Sequence, residues 1–349
     1  MLQFNTEIKV GNKIISGESP VFIIAEAGVN HGGDMAVAKQ LIDVASKAGV
    51  DAVKFQTFKT ENLILQGVEK APYQKETTAK SESQFEMLKK LEVTREQNLE
   101  LQEYCKKMGV IFLTTPFEEE SLDELDELNL PAYKIASTDT TNIPFLKKVA
   151  EKGKPMFLST GMTYMSELEL VLKDLHKINK DIVLLQCTAN YPIIDEEANL
   201  NVLHTFKEKF KMILGYSDHT VGVGAAPYAI PLGAKVVEKH FTTDKSQEGP
   251  DHKASLSPEE LSQFVIDVRR VEKFLGLYEK IPTISENNTR KSLQKCFVAK
   301  MDIPAGTIFS EEHLTTKRTG GAGISPLYYN VVYGQKAKKA FNKNDIIEL

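Results

Sequence analysis

The sequence predicts a (β/α)8 TIM barrel followed by a small β-rich module, and three observations carry that reading. Eight short apolar runs recur within the first 242 residues. Each is followed by a stretch with helical periodicity, the sequence form of a parallel sheet with crossover helices. Nearly every run ends in a polar residue able to do chemistry, and packing gives no reason for such endings. In a barrel of this kind the active site sits at the C-terminal strand ends.

The runs, in order, are VFIIAE (21–26), AVKFQ (52–56), VIFLTT (110–115), AYKIAS (132–137), MFLST (156–160), IVLLQCT (182–188), MILGYSDH (212–219) and VVEKHF (236–241). Helical stretches between or after them include 35–49, 121–128, 144–153, 165–178 and 258–276. Eight such units in about 240 residues match the usual barrel size. The expected barrel therefore spans 1–277. A polar stretch, YEKIPTISENNTRKS, reads as a linker over 278–290, and 291–349, with alternating short runs and turn signals, reads as a compact β-rich module. That module is too small to carry much core alone.

Composition bounds the function loosely. With 42% hydrophobic and 26% charged residues the chain reads as an ordinary globular protein, and a net charge of −5 argues against nucleic acid, which needs a basic stripe. Cys105, Cys187 and Cys296 are odd in number and far apart, so neither a disulfide framework nor a CxxC metal site is indicated. The start, MLQFNTEIKVGNKII, has no apolar leader, and no run approaches the ~20 apolar residues of a membrane helix. A cytoplasmic setting without membrane association is the expectation.

The polar endings fall into two groups. Alternate strand residues face the barrel interior, so Lys54 and Gln56 share a face, as do Ala132, Lys134 and Ala136. Two lysines at one mouth repel unless an anion sits between them. The functional reading is a phosphate or carboxylate clamp helped by Thr115, Ser159 and Ser217; the plainer one is that each lysine pairs with a carboxylate. His219 and His240 end neighbouring runs, and Glu26 ends the run that closes against the last. Two imidazoles and a carboxylate have the composition of a divalent metal site with open positions, for which Mn2+, with Mg2+ or Co2+ as alternatives, fits better than a closed zinc site.

Other features carry less. The glycines of VGVGA (221–225) do not match GxGxxG between a strand and a helix, so a dinucleotide site is not expected. His31, just beyond the first run, is either a ligand or a loop residue. His176, His204 and His313 sit in helical or surface contexts. Asp251 and His252, in EGPDHKAS, follow the eighth run in a loop that should present them to the same mouth.

The strings IIAEAGVNHGG, AVKFQTF, TTPFEEES, YKIAS, LSTGM, GYSDHT and VEKHFTTDKSQEGPDH, in this order, resemble the sialic acid synthase family, and DIPAGTIFSEEHLTTKR resembles the antifreeze-like SAF domain that ends those enzymes. The resemblance covers about residues 8 to 349. It implies condensation of phosphoenolpyruvate with an N-acylated mannosamine-type sugar: N-acetylmannosamine giving N-acetylneuraminate, with the 2,4-diacetamido-6-deoxy sugar of N,N'-diacetyllegionaminate as the alternative. It implies Mn2+ on His219 and His240 and Glu26 at the reacting centre. Lys54, Thr115, Lys134, Ser159 and Ser217 would bind phosphoenolpyruvate, Gln56, Tyr191 and Asp251 would face the sugar, and Ser137 and Asp139 would be substrate-binding on the sugar side. It also implies a domain-swapped homodimer in which Arg318 of one chain's SAF module reaches the other chain's barrel.

Three departures from the family pattern lie near the sugar: Ser137-Thr138-Asp139 where Ser-Gly-Glu is usual, Ala189 before Asn190, and Arg318-Thr319-Gly320 where Arg-Pro-Gly is usual. Two rival classes remain: a Schiff-base aldolase using Lys54 or Lys134, and a non-catalytic carbohydrate-binding protein built on the terminal module.

Overall fold

The eight apolar runs become eight strands of one parallel sheet in the structure, a computed structural model that describes residues 2–78 and 82–349. The strands are β1 Phe22–Gly28, β2 Ala52–Thr57, β3 Ile111–Pro116, β4 Tyr133–Ile135, β5 Met156–Ser159, β6 Ile182–Cys187, β7 Ile213–Asp218 and β8 Ala234–His240. Their order is β3-β2-β1-β8-β7-β6-β5-β4, and the two end strands lie side by side, which wraps the sheet into a nearly closed barrel. By chain contacts the protein divides into Met1–Gly276, which holds this barrel, and Leu277–Leu349.

The helices follow the strands as the periodicity requires: α1 Met35–Ala48, α2 Arg95–Met108, α3 Glu119–Glu127, α4 Ile143–Glu151, α5 Met165–Leu175, α6 Val202–Lys209, α7 Ala226–Ala229 and α8 Pro258–Leu275. Their ends are set by local chemistry. Asp34 accepts from the Ala36 amide to start α1, and Gly49 at φ 83° ends it; Ser257 and Glu260 form a capping box ahead of Pro258 in α8. Outward strand residues such as Ile23, Val53, Phe55 and Val237 pack with Leu41, Leu101 and Phe264 of the helix layer. Inward residues at the opposite parity, among them Ile24, Leu113, Phe157 and Val236, fill the barrel.

Two segments go beyond the sequence reading. Glu7–Val10 and Lys13–Ser16 pair as an antiparallel hairpin about Gly11 and Asn12, with Gly11 at φ 58°. Positive φ is what tight hairpin turns demand, and glycine adopts it without penalty. Ile8, Val10 and Ile15 of this hairpin are buried in the barrel-filling cluster, so the N-terminal end of the barrel is plugged. Between β2 and α2 the chain makes an excursion with short helices Thr60–Leu63, Pro72–Thr77 and Gln84–Lys89. Met87 and Leu91 of that excursion join Val29 and Phe58 in a separate apolar cluster.

The second unit holds a two-stranded antiparallel sheet, β9 Lys295–Ala299 with β10 Leu314–Arg318. Its core is Phe297, Ile303, Phe309, Val332, Phe341 and their neighbours. The stretch read as a polar linker carries most of helix α9, Ile284–Leu293, which Thr283 and Glu286 start with a capping box. Among the described residues no helix is long and apolar enough to cross a membrane.

Candidate active site

The strand ends converge on a cavity of about 510 Å3 at the C-terminal mouth of the barrel. All of the barrel's expected site residues line it except Asp139 and His252. That carboxylate accepts from the Asn142 amide group at 3.0 Å and from the Thr138 hydroxyl at 3.3 Å, so it braces the start of α4 rather than facing the cavity.

The deepest part is a four-charge cluster. Lys54 Nζ lies 2.7 Å from the Glu26 carboxylate and 3.8 Å from Glu238, while Lys134 Nζ lies 3.2 Å from the same Glu238 oxygen. Ser217 donates to Glu238 at 3.0 Å, and Lys54 donates to Thr115 at 3.3 Å. All four charged groups are buried. Both lysines thus have carboxylate partners, as the plainer reading requires, yet both still face the cavity with hydroxyls beside them. The Ser159 hydroxyl, buried and without a partner among the described residues, adds an unused donor there.

The same burial moves the proton affinities apart. Desolvation pushes Glu26 up to about 7 despite the Lys54 contact, which places its titration near neutrality. Burial would also raise Glu238, but the two lysines outweigh it and hold that carboxyl below its ordinary value. Burial pulls Lys134 below the usual lysine range, with Glu238 resisting. For Lys54 burial acts in the same direction, but Glu238 and Glu26 together hold it above that range. A carboxyl poised near neutrality beside two fixed cations is the pattern of an acid–base group set next to an anion site.

The histidine pair forms a second patch. The His219 and His240 rings are 5.4 Å apart, and the Tyr191 ring packs 4.0 Å from His219 and 5.5 Å from His240. His219 Nδ1 lies 2.7 Å from the Thr188 carbonyl, which only accepts, so Nδ1 carries a proton; burial pulls the ring's pKa down, but Cys187 and this carbonyl hold it above its ordinary value, and Nε2 presents its lone pair once the ring is neutral. His240 is kept neutral, its pKa well below the ordinary value through burial and the nearby positive groups, and its buried Nδ1 has no hydrogen-bond partner among the described residues. Asp251 stands 3.9 Å from that nitrogen, with burial pushing its carboxyl up to about 6.

Two imidazoles with unused lone pairs suit a divalent ion whose remaining positions are filled by substrate oxygens. The three-residue set expected with Glu26 does not form. Among the described residues no group of three His, Cys, Asp or Glu converges as a ligand set, and Glu26 is held by Lys54 and by Gln56, whose amide donates at 3.1 Å.

Three features were not read from the sequence. Glu238 stands two residues before His240 and shares its inward face, a parity that the alternation rule makes visible. Cys187 lines the cavity with its sulfur 3.8 Å from His219 Nδ1. The excursion after β2 supplies an apolar wall through Phe58, Leu63, Ile64, Met87 and Leu88, joined by Phe117 from the loop after β3. His31 is a buried loop residue whose Nδ1 accepts from the Gly33 amide, and His252 is bonded to Thr242; neither lines the cavity. Arg318 ends β10 in the second unit with its side chain exposed.

Fold and site together define a (β/α)8-barrel enzyme with its chemistry at the strand ends. The chain belongs to the NeuB family, whose model matches residues 41–280, and a SAF domain is matched at 294–348. It is 46% identical to the N,N'-diacetyllegionaminic acid synthase of Campylobacter jejuni over 93% of this chain and 98% of that one. It is 38% identical to human N-acetylneuraminate-9-phosphate synthase over 95% and 93% of the two chains. A crystal structure of N-acetylneuraminic acid synthetase from Leptospira borgpetersenii, in complex with citrate, superposes with a TM-score of 0.74 at 35% identity, covering 84% of this chain and 99% of that one. These relatives place the chain among the sialic and legionaminic acid synthases.

Proposed function

We propose that this barrel condenses phosphoenolpyruvate with 2,4-diacetamido-2,4,6-trideoxymannose to give N,N'-diacetyllegionaminate and phosphate. The observation that carries the reading is the division of the cavity: buried Lys54 and Lys134 with their hydroxyls at its deep end, and an apolar wall from the excursion after β2. The deep end suits the phosphate and carboxylate of phosphoenolpyruvate. The wall suits a sugar with a methyl group and two acetamido methyls rather than one with more hydroxyls. Lys54 and Lys134 are the lysines and arginines among the described lining residues, and both are at the deep end, so the barrel offers no further such cation for a phosphorylated sugar. The Campylobacter relative's name and 46% identity point the same way. N-acetylmannosamine, the first expectation from sequence, remains the second reading and is supported by the Leptospira likeness.

In this scheme the lysines and hydroxyls hold phosphoenolpyruvate so that its C3 faces the sugar aldehyde. His219 and His240 would hold a divalent ion, Mn2+ in our reading, which would supply Lewis-acid polarisation of the carbonyl. The C3–C1 bond forms as the aldehyde oxygen becomes an alkoxide, C2 takes up water, and the C2–O bond to phosphate breaks as the new C2 hydroxyl becomes the ketone. Glu26, titrating near 7, takes one proton of that water and passes it to the alkoxide, and the second proton leaves with phosphate. Tyr191 and Gln56 flank the sugar. A second chain completes the site with Arg318 of its SAF unit, and the enzyme works in the cytoplasm.

Purified protein is incubated with phosphoenolpyruvate, Mn2+ and each sugar in turn, with phosphate release and product mass recorded. Turnover with the diacetamido sugar well above that with N-acetylmannosamine is expected, and the reverse order transfers the assignment to N-acetylneuraminate. Covalent trapping by borohydride, with no effect of chelators, would replace both by a Schiff-base aldolase.

A further inference from the structure

An ion pair behind the two histidines, on the barrel face turned away from the cavity, takes no part in the chemistry above. Alternation sends Ser217 and His219 to the cavity and Asp218, between them, outward; it sends Glu238 and His240 inward and Lys239 outward. Asp218 and Lys239 are direct register partners on β7 and β8. The Lys239 ammonium lies 3.0 Å from Asp218 Oδ2, and both side chains are 1% exposed or less.

The bonds of this pair enclose the metal-side residues. Asp218 Oδ1 accepts from the Thr220 amide at 2.9 Å and the Thr220 hydroxyl at 2.7 Å, which closes a small ring around the peptide that carries His219. Lys239 donates to the Thr220 carbonyl at 2.5 Å, tying the residue before His240 to the residue after His219. Asp218 Oδ2 accepts further from the Ala225 and Ala226 amides at 3.1 and 3.0 Å, the start of α7. The glycine string found in the sequence belongs here. A Cβ on Gly224, at φ 65°, would come 1.9 Å from Thr220 Oγ1, 2.7 Å from Lys239 Nζ and 2.8 Å from Asp218 Oδ2, so only a bare backbone can close over the pair.

A buried ion pair is a weak source of net stability, since well-packed apolar residues often do as well; fixing one arrangement among several is a better-attested use. We infer that Asp218 and Lys239, capped by Thr220 and Gly224, are positioning residues that set the spacing and aim of His219 and His240. The inference rests on the reading that those histidines hold a divalent ion.

Removing Lys239 alone strands a buried carboxylate, so the test uses the neutral pair D218N/K239M and, independently, G224A, which disturbs the cap and leaves the charges. Mn2+ affinity of the metal-stripped, full-length protein is measured by calorimetry and by the electron paramagnetic resonance signal of free Mn2+, alongside the melting temperature and the KM for phosphoenolpyruvate. Both variants should bind Mn2+ at least about tenfold more weakly, the loss seen when groups supporting metal ligands are removed, with the KM for phosphoenolpyruvate unchanged. Leu172→Ala, in the buried face of α5, serves as a control for general destabilisation and should keep wild-type Mn2+ affinity. Folded D218N/K239M with wild-type affinity, or an equal loss in the Leu172 control, overturns the positioning role and leaves the metal reading intact. Wild-type Mn2+ binding that survives His240→Ala overturns the metal reading, and this inference with it.

Discussion

Replacing Lys134 by Met removes one of the two deep cations while keeping a flexible apolar stem. Lys54 keeps Glu26 at 2.7 Å and Glu238 at 3.8 Å, and Glu238 keeps the Ser217 hydroxyl at 3.0 Å, so no buried charge is fully stranded. The loss of fold stability should therefore be about 1 to 3 kcal/mol, below the roughly 3 to 5 kcal/mol of a fully orphaned ion. An ammonium–phosphate contact in this closed setting is a charge-assisted hydrogen bond worth about 1.5 to 3 kcal/mol. At about 1.4 kcal/mol per tenfold, the KM for phosphoenolpyruvate should rise about 10- to 150-fold. The assay is phosphate release with phosphoenolpyruvate varied at saturating sugar, then the converse, with a urea melt as the stability control. Because burial depresses the Lys134 pKa, the wild-type KM for phosphoenolpyruvate should also climb as pH rises through that lowered value, and the variant should lack that limb. Equal rises in both KM values, or a rise for the sugar alone, would refute the assignment of Lys134 to the anion.

Glu26→Gln should lower kcat by about 100-fold or more and abolish the limb near pH 7 in the kcat/KM profile, which reports the substrate-free enzyme, read from rates between pH 5 and 9. His31 is held at about 4 by burial, below its unfolded value near 6.5, so the unfolded chain binds more protons between these limits and stability is lost as pH falls through that window. The loss is on the order of 3 kcal/mol, and His31→Gln should remove it from urea melts run at pH 7 and pH 4. An inactive Arg318→Ala protein mixed with an inactive Glu26→Ala protein should regain activity once subunits exchange; no recovery after proven exchange would leave Arg318 to its own chain.

Most of the barrel was legible because each strand ends in a residue that packing does not require, and because helical periodicity separates the runs. Glu238 escaped because it lies within a run, where the eye stops at the terminal His240, although period-two alternation places both on one face. Asp218 and Lys239 escaped because each is a charge inside an apolar run, and only the register of β7 against β8 shows that they meet behind the site. Asp139 was assigned to the sugar by motif position, but a nearby amide, Asn142, captures it. The hairpin at Gly11 had a local signal in its alternation and turn residues, yet nothing local says that it plugs a barrel.

That plug has a kinetic consequence. With the N-terminal end closed by Ile8, Val10 and Ile15, the deep lysines are reached from the mouth where the histidines and Tyr191 stand. On the proposed reading, a sugar that arrives first stands in the path of phosphoenolpyruvate. Productive turnover is then ordered, with phosphoenolpyruvate leading, and excess sugar acts as its own inhibitor by forming a dead-end complex at the doorway. Phosphate, released at the closed end, queues behind the sugar acid on the way out.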